Sequence, residues 1–148
     1  MTVDWRFSEM TEMTKKLTFI KPAASKLSDE FYSHFRRGKL CLQRCVDCKS
    51  WIHIPREMCA QCGSFDLEWD ECSGRAELFT WTETIVAPLS TLKDDVPFTV
   101  ALVQLEEGPR VVSRVVNAES DELTAGLKLK VRFDEVDQDI TLATFEPA

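Results

Sequence analysis

The sequence predicts a mainly β protein: an N-terminal helix, then a zinc ribbon, then a five-stranded barrel of the OB type. Three observations carry that expectation. Two Cys-x-x-Cys pairs flank a short apolar run, a series of segments with period-two alternation follows Leu67, and one stretch with helix-cap signals precedes the cysteines.

In chain order, residues 1–27 show no sustained periodicity and read as an arm or short helical pieces. Residues 28–37 read as a helix. Ser28 suits the N-cap, Asp29 and Glu30 suit the first turn, and Gly38 suits the exit. Phe31 and Phe35, four apart, share a face with Leu27 nearby, so this short helix must dock on something. Leu40 and Leu42 alternate through residues 39–44, a strand that enters the cysteine cluster. Trp51-Ile52-His53-Ile54, closed by Pro55, reads as a hairpin strand between the two cysteine pairs.

Beyond that point the pattern is β. Leu67 and Trp69 alternate with Glu68 and Asp70 before a Ser73-Gly74 turn. Residues 75–86 are rich in Thr, Trp and Phe, and strict alternation puts Phe79 and Trp81 on one face and Leu78 on the other. Residues 87–97, with two prolines and Asp94-Asp95, read as a polar loop. Residues 98–106 and 110–117 flank Glu107-Gly108-Pro109, a hairpin signal. Residues 118–126 connect them to a last pair of segments. There Leu127, Leu129, Val131 and Phe133 alternate with Lys128, Lys130 and Arg132, and Ile140, Leu142 and Phe145 complete the set. Five segments with the longer break after the third suit an OB-type barrel; from pattern alone an SH3-like barrel is the alternative. The expected division is 1–38 for arm and helix, 39–70 for the ribbon and 71–148 for the barrel.

The chemistry concentrates in Cys45, Cys48, Cys59 and Cys62. Two residues between thiols let both sulfurs of a tight turn face one ion, and two such turns complete a tetrahedron of thiolates that suits zinc. Iron in a rubredoxin-like site uses the same ligands. Gly63 follows the second pair, where positive φ is useful; Lys49 stands at the same place after the first pair and makes a less ideal turn. Cys41 and Cys72 lie outside the pairs and read as buried structural thiols. Neither pair sits in a βαβ context, which ranks a redox dithiol lower.

The chain carries a net charge of -7, which argues against a nucleic-acid binder. Residues 36–56 reverse that sign locally, with six bases against one acid. Such a segment suggests an anion site or an acidic partner surface, weighed evenly against a solvated face. No stretch approaches the roughly 20 apolar residues of a membrane helix. Residues 1–16 lack the apolar block of a secretory signal, so a cytoplasmic protein with no membrane partner is expected. No Gly-x-Ser-x-Gly, phosphate loop or dinucleotide glycine pattern occurs, and neither His34 nor His53 has a partner in sequence. Trp51, Trp69 and Trp81 read as core or interface anchors. No catalytic residue is assigned.

Further runs point to a family. They are Phe31-Tyr32, Arg37-Gly38-Lys39-Leu40, Leu42 to Cys48, Cys62-Gly63-Ser64, Leu67-Glu68-Trp69 and Ser73-Gly74-Arg75. Downstream stand Trp81-Thr82, Asp95-Val96-Pro97-Phe98, Val100-Ala101-Leu102-Val103 and Glu107-Gly108-Pro109-Arg110. Over residues 23–147 these resemble the acyl-CoA-associated OB-fold proteins with a rubredoxin-like zinc ribbon, catalogued as Domain of Unknown Function 35. Ala76, where the family usually has glycine, and a second knuckle without proline are departures in turn geometry.

The resemblance implies an accessory subunit that binds a thiolase-superfamily enzyme, such as an acyl-CoA thiolase or a steroid side-chain aldolase. The partner would supply the catalytic nucleophile. It also implies a heterotetramer or larger assembly, docking through the barrel, and a coenzyme A thioester as ligand of the complex. Arg44, Lys49 and Arg56 are then candidate contacts for the CoA phosphates. A free-standing acyl-CoA-binding module is the second reading and an OB-fold nucleic-acid binder the third, resting on fold analogy.

Overall fold

The computed structural model describes residues 21–23 and 25–148; most of the arm expected over residues 1–27 lies outside them. Helix α1 spans Lys26–Arg36 and begins two residues before the expected start. Its N-cap is Ser25, not Ser28. The Ser25 hydroxyl accepts from the Ser28 amide at 3.1 Å, and the Ser28 hydroxyl accepts from the Ser25 amide at 2.8 Å. This reciprocal box satisfies two amides, which a cap at Ser28 alone would not do. At the other end Gly38 has φ 70°, its amide bonding Phe35 and the Lys39 amide bonding His34. That is a Schellman ending, and its left-handed residue favours glycine. Phe31 and Phe35 are buried and meet edge-on at 4.6 Å between ring centroids.

The ribbon is a three-stranded antiparallel sheet. Its central strand β1 (Cys41–Cys45) lies between β2 (Trp51–Ile52) and β3 (Leu67–Glu71). Strand β2 is shorter than expected, because His53 and Ile54 leave the sheet to approach α1 and the barrel.

Strands β4 (Arg75–Thr84), β5 (Phe98–Leu105), β6 (Arg110–Val115), β7 (Lys128–Glu135) and β8 (Thr141–Pro147) close a barrel in the order β4-β5-β6-β8-β7. All contacts are antiparallel except β6 with β8. This is the expected OB-like barrel.

Within β4 a bulge at Phe79 corrects the strict alternation. Leu78 pairs with Val103 and Thr80 with Leu102, leaving Phe79 as the extra residue. Leu78 and Trp81 therefore share the inward face, opposite Val103 and Ala101, while Phe79 points out and is exposed. One inserted residue shifts a period-two pattern by one face. The loop 87–97 is less polar than expected: Leu92 is buried, and the buried Asp95 carboxylate meets Arg114 at 3.4 Å.

One core cluster runs from Phe31 and Phe35 of α1 through Leu40 and Leu42 of the ribbon into Leu78, Val103, Leu105, Leu129 and Phe145 of the barrel. Helix, ribbon base and barrel thus share buried surface, each large side chain contributing roughly 1.5–3 kcal/mol. Among the described residues the ribbon tip has only Cys45, Ile52 and Cys59, with Leu67 packed against them. So small a cluster calls for a further staple.

Candidate metal centre

Each cysteine pair sits on a turn of the same construction. In the first, the Lys49 amide bonds the Cys45 carbonyl at 3.0 Å and the Cys45 amide bonds Ser50 at 2.9 Å. In the second, the Gly63 amide bonds the Cys59 carbonyl at 2.9 Å and the Cys59 amide bonds Ser64 at 2.8 Å. The residue after each second cysteine has positive φ, 61° at Lys49 and 76° at Gly63. Lys49 takes a conformation that glycine would adopt without strain, as its place in the sequence suggested.

The two turns bring all four sulfurs within 4.8 Å of one another. Cys45 Sγ lies 3.5 Å from Cys62 Sγ, and Cys48 Sγ lies 3.6 Å from Cys59 Sγ. A tetrahedron with metal–sulfur bonds near 2.3 Å spaces its sulfurs about 3.8 Å apart. Disulfides at about 2.05 Å do not describe these separations. Cys45 and Cys59 are buried while Cys48 and Cys62 face outward, so a bound ion would close the tip of the ribbon.

The electrostatics agree with a cation. Hydrogen bonding to Ser50 brings the Cys48 thiol down to about 6. Cys62 is pushed up to about 12: the Ser64 amide lowers it, but the crowding sulfurs of Cys48 and Cys45 outweigh that. Four thiols this close do not all ionise by themselves, and a dication between them removes the conflict. The four cysteines are positioned for metal binding. Cys41 and Cys72 are buried apart from this group, and burial raises both thiols, Cys72 to about 12.

The three candidate bases lie on the ribbon but do not form one cluster with equal freedom. Arg44 bonds Asp70 at 3.0 Å and lies over the Trp51 ring. Lys49 and Arg56 are exposed, and the Arg56 amide is anchored on the buried Gln43 side chain at 2.7 Å. Gln43 is not singled out by the sequence: it precedes Arg44 in the same strand, and nothing local marks it as the buried one of the two.

A second feature had no sequence signal. A groove of about 620 Å³ opens between α1, the loop after β2 and the facing parts of β6 and β8, with Tyr32, Ile54, Val112 and Leu142 on its walls. Leu40 and Leu42 at the ribbon base and Val100 of β5 also line it, so six separate parts of the chain form it. His53 also lines it and His34 lies under Trp69, with ring centroids 5.1 Å apart. Among the described residues no helix is long and apolar enough to cross a membrane.

A metal-ready ribbon fused through a shared core to an OB-like barrel defines the class of protein. The family model "ChsH2, rubredoxin-like zinc ribbon domain" matches residues 33–68, and "ChsH2, C-terminal OB-fold domain" matches residues 69–134. A "DUF35 domain-containing scaffold protein" of Pyrococcus furiosus is 30% identical over 112 residues, 74% of this chain and 82% of that protein. A "Probable enoyl-CoA hydratase alpha subunit" of Thermomonospora curvata is 30% identical over 141 residues, 95% of this chain. The match spans 44% of that relative's length. Among solved structures, a chain of "Ltp2-ChsH2(DUF35) aldolase" is similar with TM-score 0.77 and 30% identity, covering 86% of this chain and 98% of that one. The chain belongs to the DUF35 family of ChsH2 type.

Proposed function

We propose that this chain is the non-catalytic accessory subunit of a thiolase-superfamily enzyme, a thiolase or aldolase, in the degradation of an acyl-CoA. The observation that carries this is the likeness, over nearly the whole of that chain, to the DUF35 component of an Ltp2-ChsH2 aldolase. Cys45, Cys48, Cys59 and Cys62 would hold a zinc ion whose role is structural: it would fix the ribbon tip, which has little core of its own. Iron is the competing occupant of the same four sulfurs. The partner supplies the reacting groups, and the assembly is a heterotetramer or larger. An aromatic or steroid acyl group fits this reading. Lys49 and Arg56, with Arg44 as the less available third, would meet the CoA phosphates at the ribbon. The division into arm and helix, ribbon and barrel at residues 38 and 70 follows the same reading. Free thiols at Cys41 and Cys72 suit a reducing compartment, in keeping with the cytoplasm.

The test is co-expression with a thiolase-like protein from the same organism. A stable complex that turns over an acyl-CoA, while this chain alone does not, is expected. Turnover by the isolated chain, or no complex with such a protein, overturns the reading.

A further inference from the structure

We infer that the open seam between β6 and β8 is the docking groove for an extended segment of the partner subunit, which adds there as a strand and sets a carboxylate against Arg110. This rests on the accessory-subunit reading and goes further by naming the surface and the chemistry it selects.

The barrel is closed at this seam by very little. Strands β5 and β6 pair at six positions and β7 and β8 at seven, whereas β6 and β8 pair only at Val115 and Phe145. Below that point the Ser113 hydroxyl, donating to the Ala143 carbonyl at 2.7 Å, bridges the two strands. The direction of the remaining backbone groups follows from the ladder. The Leu105 amide bonds the Pro109 carbonyl, so 109, 111 and 113 turn toward β5. Arg110 and Val112 therefore aim their N–H and C=O groups into the seam. A strand edge presented in this way is a template for another strand.

The side chains suit a polypeptide. Val112 is 66% exposed and Ile54, across the groove, is 68% exposed, while Tyr32 and Leu142 complete an apolar channel. Arg110 stands at its rim. Its guanidinium lies 3.7 Å over the exposed Phe79 ring, and its Nε donates to Gln104 at 2.8 Å. Among the described residues no carboxylate forms an ion pair with it. An arginine stacked on an exposed aromatic ring beside exposed aliphatic residues is the composition of an interface anchor. In a chain of net charge -7 it asks for an acid from outside. A second copy would bring like net charge against like, and a small acyl ligand has no use for the open backbone edge. The occupant that meets all three features is an extended segment with alternating apolar side chains and an Asp or Glu.

The experiment uses the complex of this chain with its co-expressed thiolase-like subunit. Amide exchange at Arg110 and Val112 is measured in the free and assembled chain, and affinity is measured for wild type, Val112→Pro and Arg110→Glu. Val112→Pro removes a seam-facing amide and leaves the bonds to β5; Arg110→Glu reverses the rim charge and keeps the test valid if the proline variant does not fold. At least tenfold slower exchange on assembly, and at least tenfold weaker binding for each folded variant, is expected. A complex that leaves these amides unprotected, or that both folded variants form as tightly as wild type, overturns the inference and leaves the accessory-subunit reading intact. Failure to form any complex overturns both. A dimer of the free chain that Arg110→Glu dissolves assigns the groove to a second copy. Protection of the free chain by octanoyl-CoA assigns it to a small molecule. Either of these also overturns the inference.

Discussion

Arg44 reaches from the central ribbon strand to Asp70 on the edge strand, Nη1 to Oδ2 at 3.0 Å, with its guanidinium carbon 5.0 Å from the Trp51 ring centroid. One side chain thereby touches both neighbours of β1. Both groups are partly exposed, so the ion pair is worth about 1 kcal/mol or less, and the ring contact adds a similar amount. Arg44→Ala is expected to lower ribbon stability by about 1–2 kcal/mol, read as a lower melting temperature. An unchanged melting temperature would show that neither contact holds the ribbon.

The same geometry ranks the candidate phosphate contacts. Arg44 already faces a carboxylate, whereas Lys49 and Arg56 are exposed. Replacing Lys49 and Arg56 together is expected to raise the KM of the complex for acyl-CoA several-fold at low salt, and Arg44→Ala to raise it less. The rise should shrink as ionic strength increases. Loss of assembly with unchanged KM would assign these bases to the protein partner instead.

For the metal, one zinc per chain is expected by elemental analysis. Cys48→Ser or Cys62→Ser should reduce bound zinc and speed amide exchange through residues 40–70, because the tip cluster is too small to hold itself. Cys41→Ser should leave metal content unchanged, since Cys41 is buried apart from the four sulfurs. A metal-free chain with a fully protected ribbon would sink the structural role.

His34 and His53 make the seam between helix and ribbon sensitive to acid. Among the described residues, His34 Nε2 and His53 Nδ1 are buried without hydrogen-bond partners, and burial lowers both rings below the ordinary 6.5, with Arg37 adding to the effect at His34. A base with a lowered folded pKa binds fewer protons folded than unfolded. Its contribution is therefore full above 6.5 and is lost as pH falls through 6.5 toward the folded value. Melting temperature should fall over that window in wild type and fall less in His53→Leu. Zinc content must be followed in parallel, because protonation of the thiolates acts in the same direction. Equal slopes in the two proteins would clear His53 of this role.

Gly74 tests the joint between ribbon and barrel. It has φ 77°, its carbonyl accepts from the Val131 amide at 2.8 Å, and an added Cβ would lie 2.5 Å from Val131 Cγ1. Gly74→Ala is expected to destabilise the protein by roughly 2–4 kcal/mol through backbone strain and overpacking together. A change below about 1 kcal/mol in denaturant unfolding would mean that the strand ends relax freely.

What could be read in the sequence shares one property: it depends on residues close together along the chain. The cysteine pairs, the Gly38 ending, the Phe31–Phe35 face and the hairpin at Gly108 are each set within a few residues. Even locally, competition between equivalent signals misled. Ser25 and Ser28 both suit an N-cap, and only the reciprocal bond between them decides. The Phe79 bulge defeated alternation because its cause is the partner strand: Val103 and Leu102 face Leu78 and Thr80 directly.

By itself the sequence determined the four candidate ligands and the order of helix, ribbon and barrel, because knuckle spacing and strand period are local codes; the family came separately, from the resemblance that the longer runs carry. Tertiary structure alone decided the rest. It joined the ribbon base to the barrel core through Leu40 and Leu42 and took Arg44 up with Asp70. It left β6 and β8 apart below Val115, with Arg110 standing over Phe79. These depend on distances between segments up to about a hundred residues apart, set when the barrel closes and the helix packs against β8. Closure is a property of the whole sheet, so no single stretch of sequence encodes it.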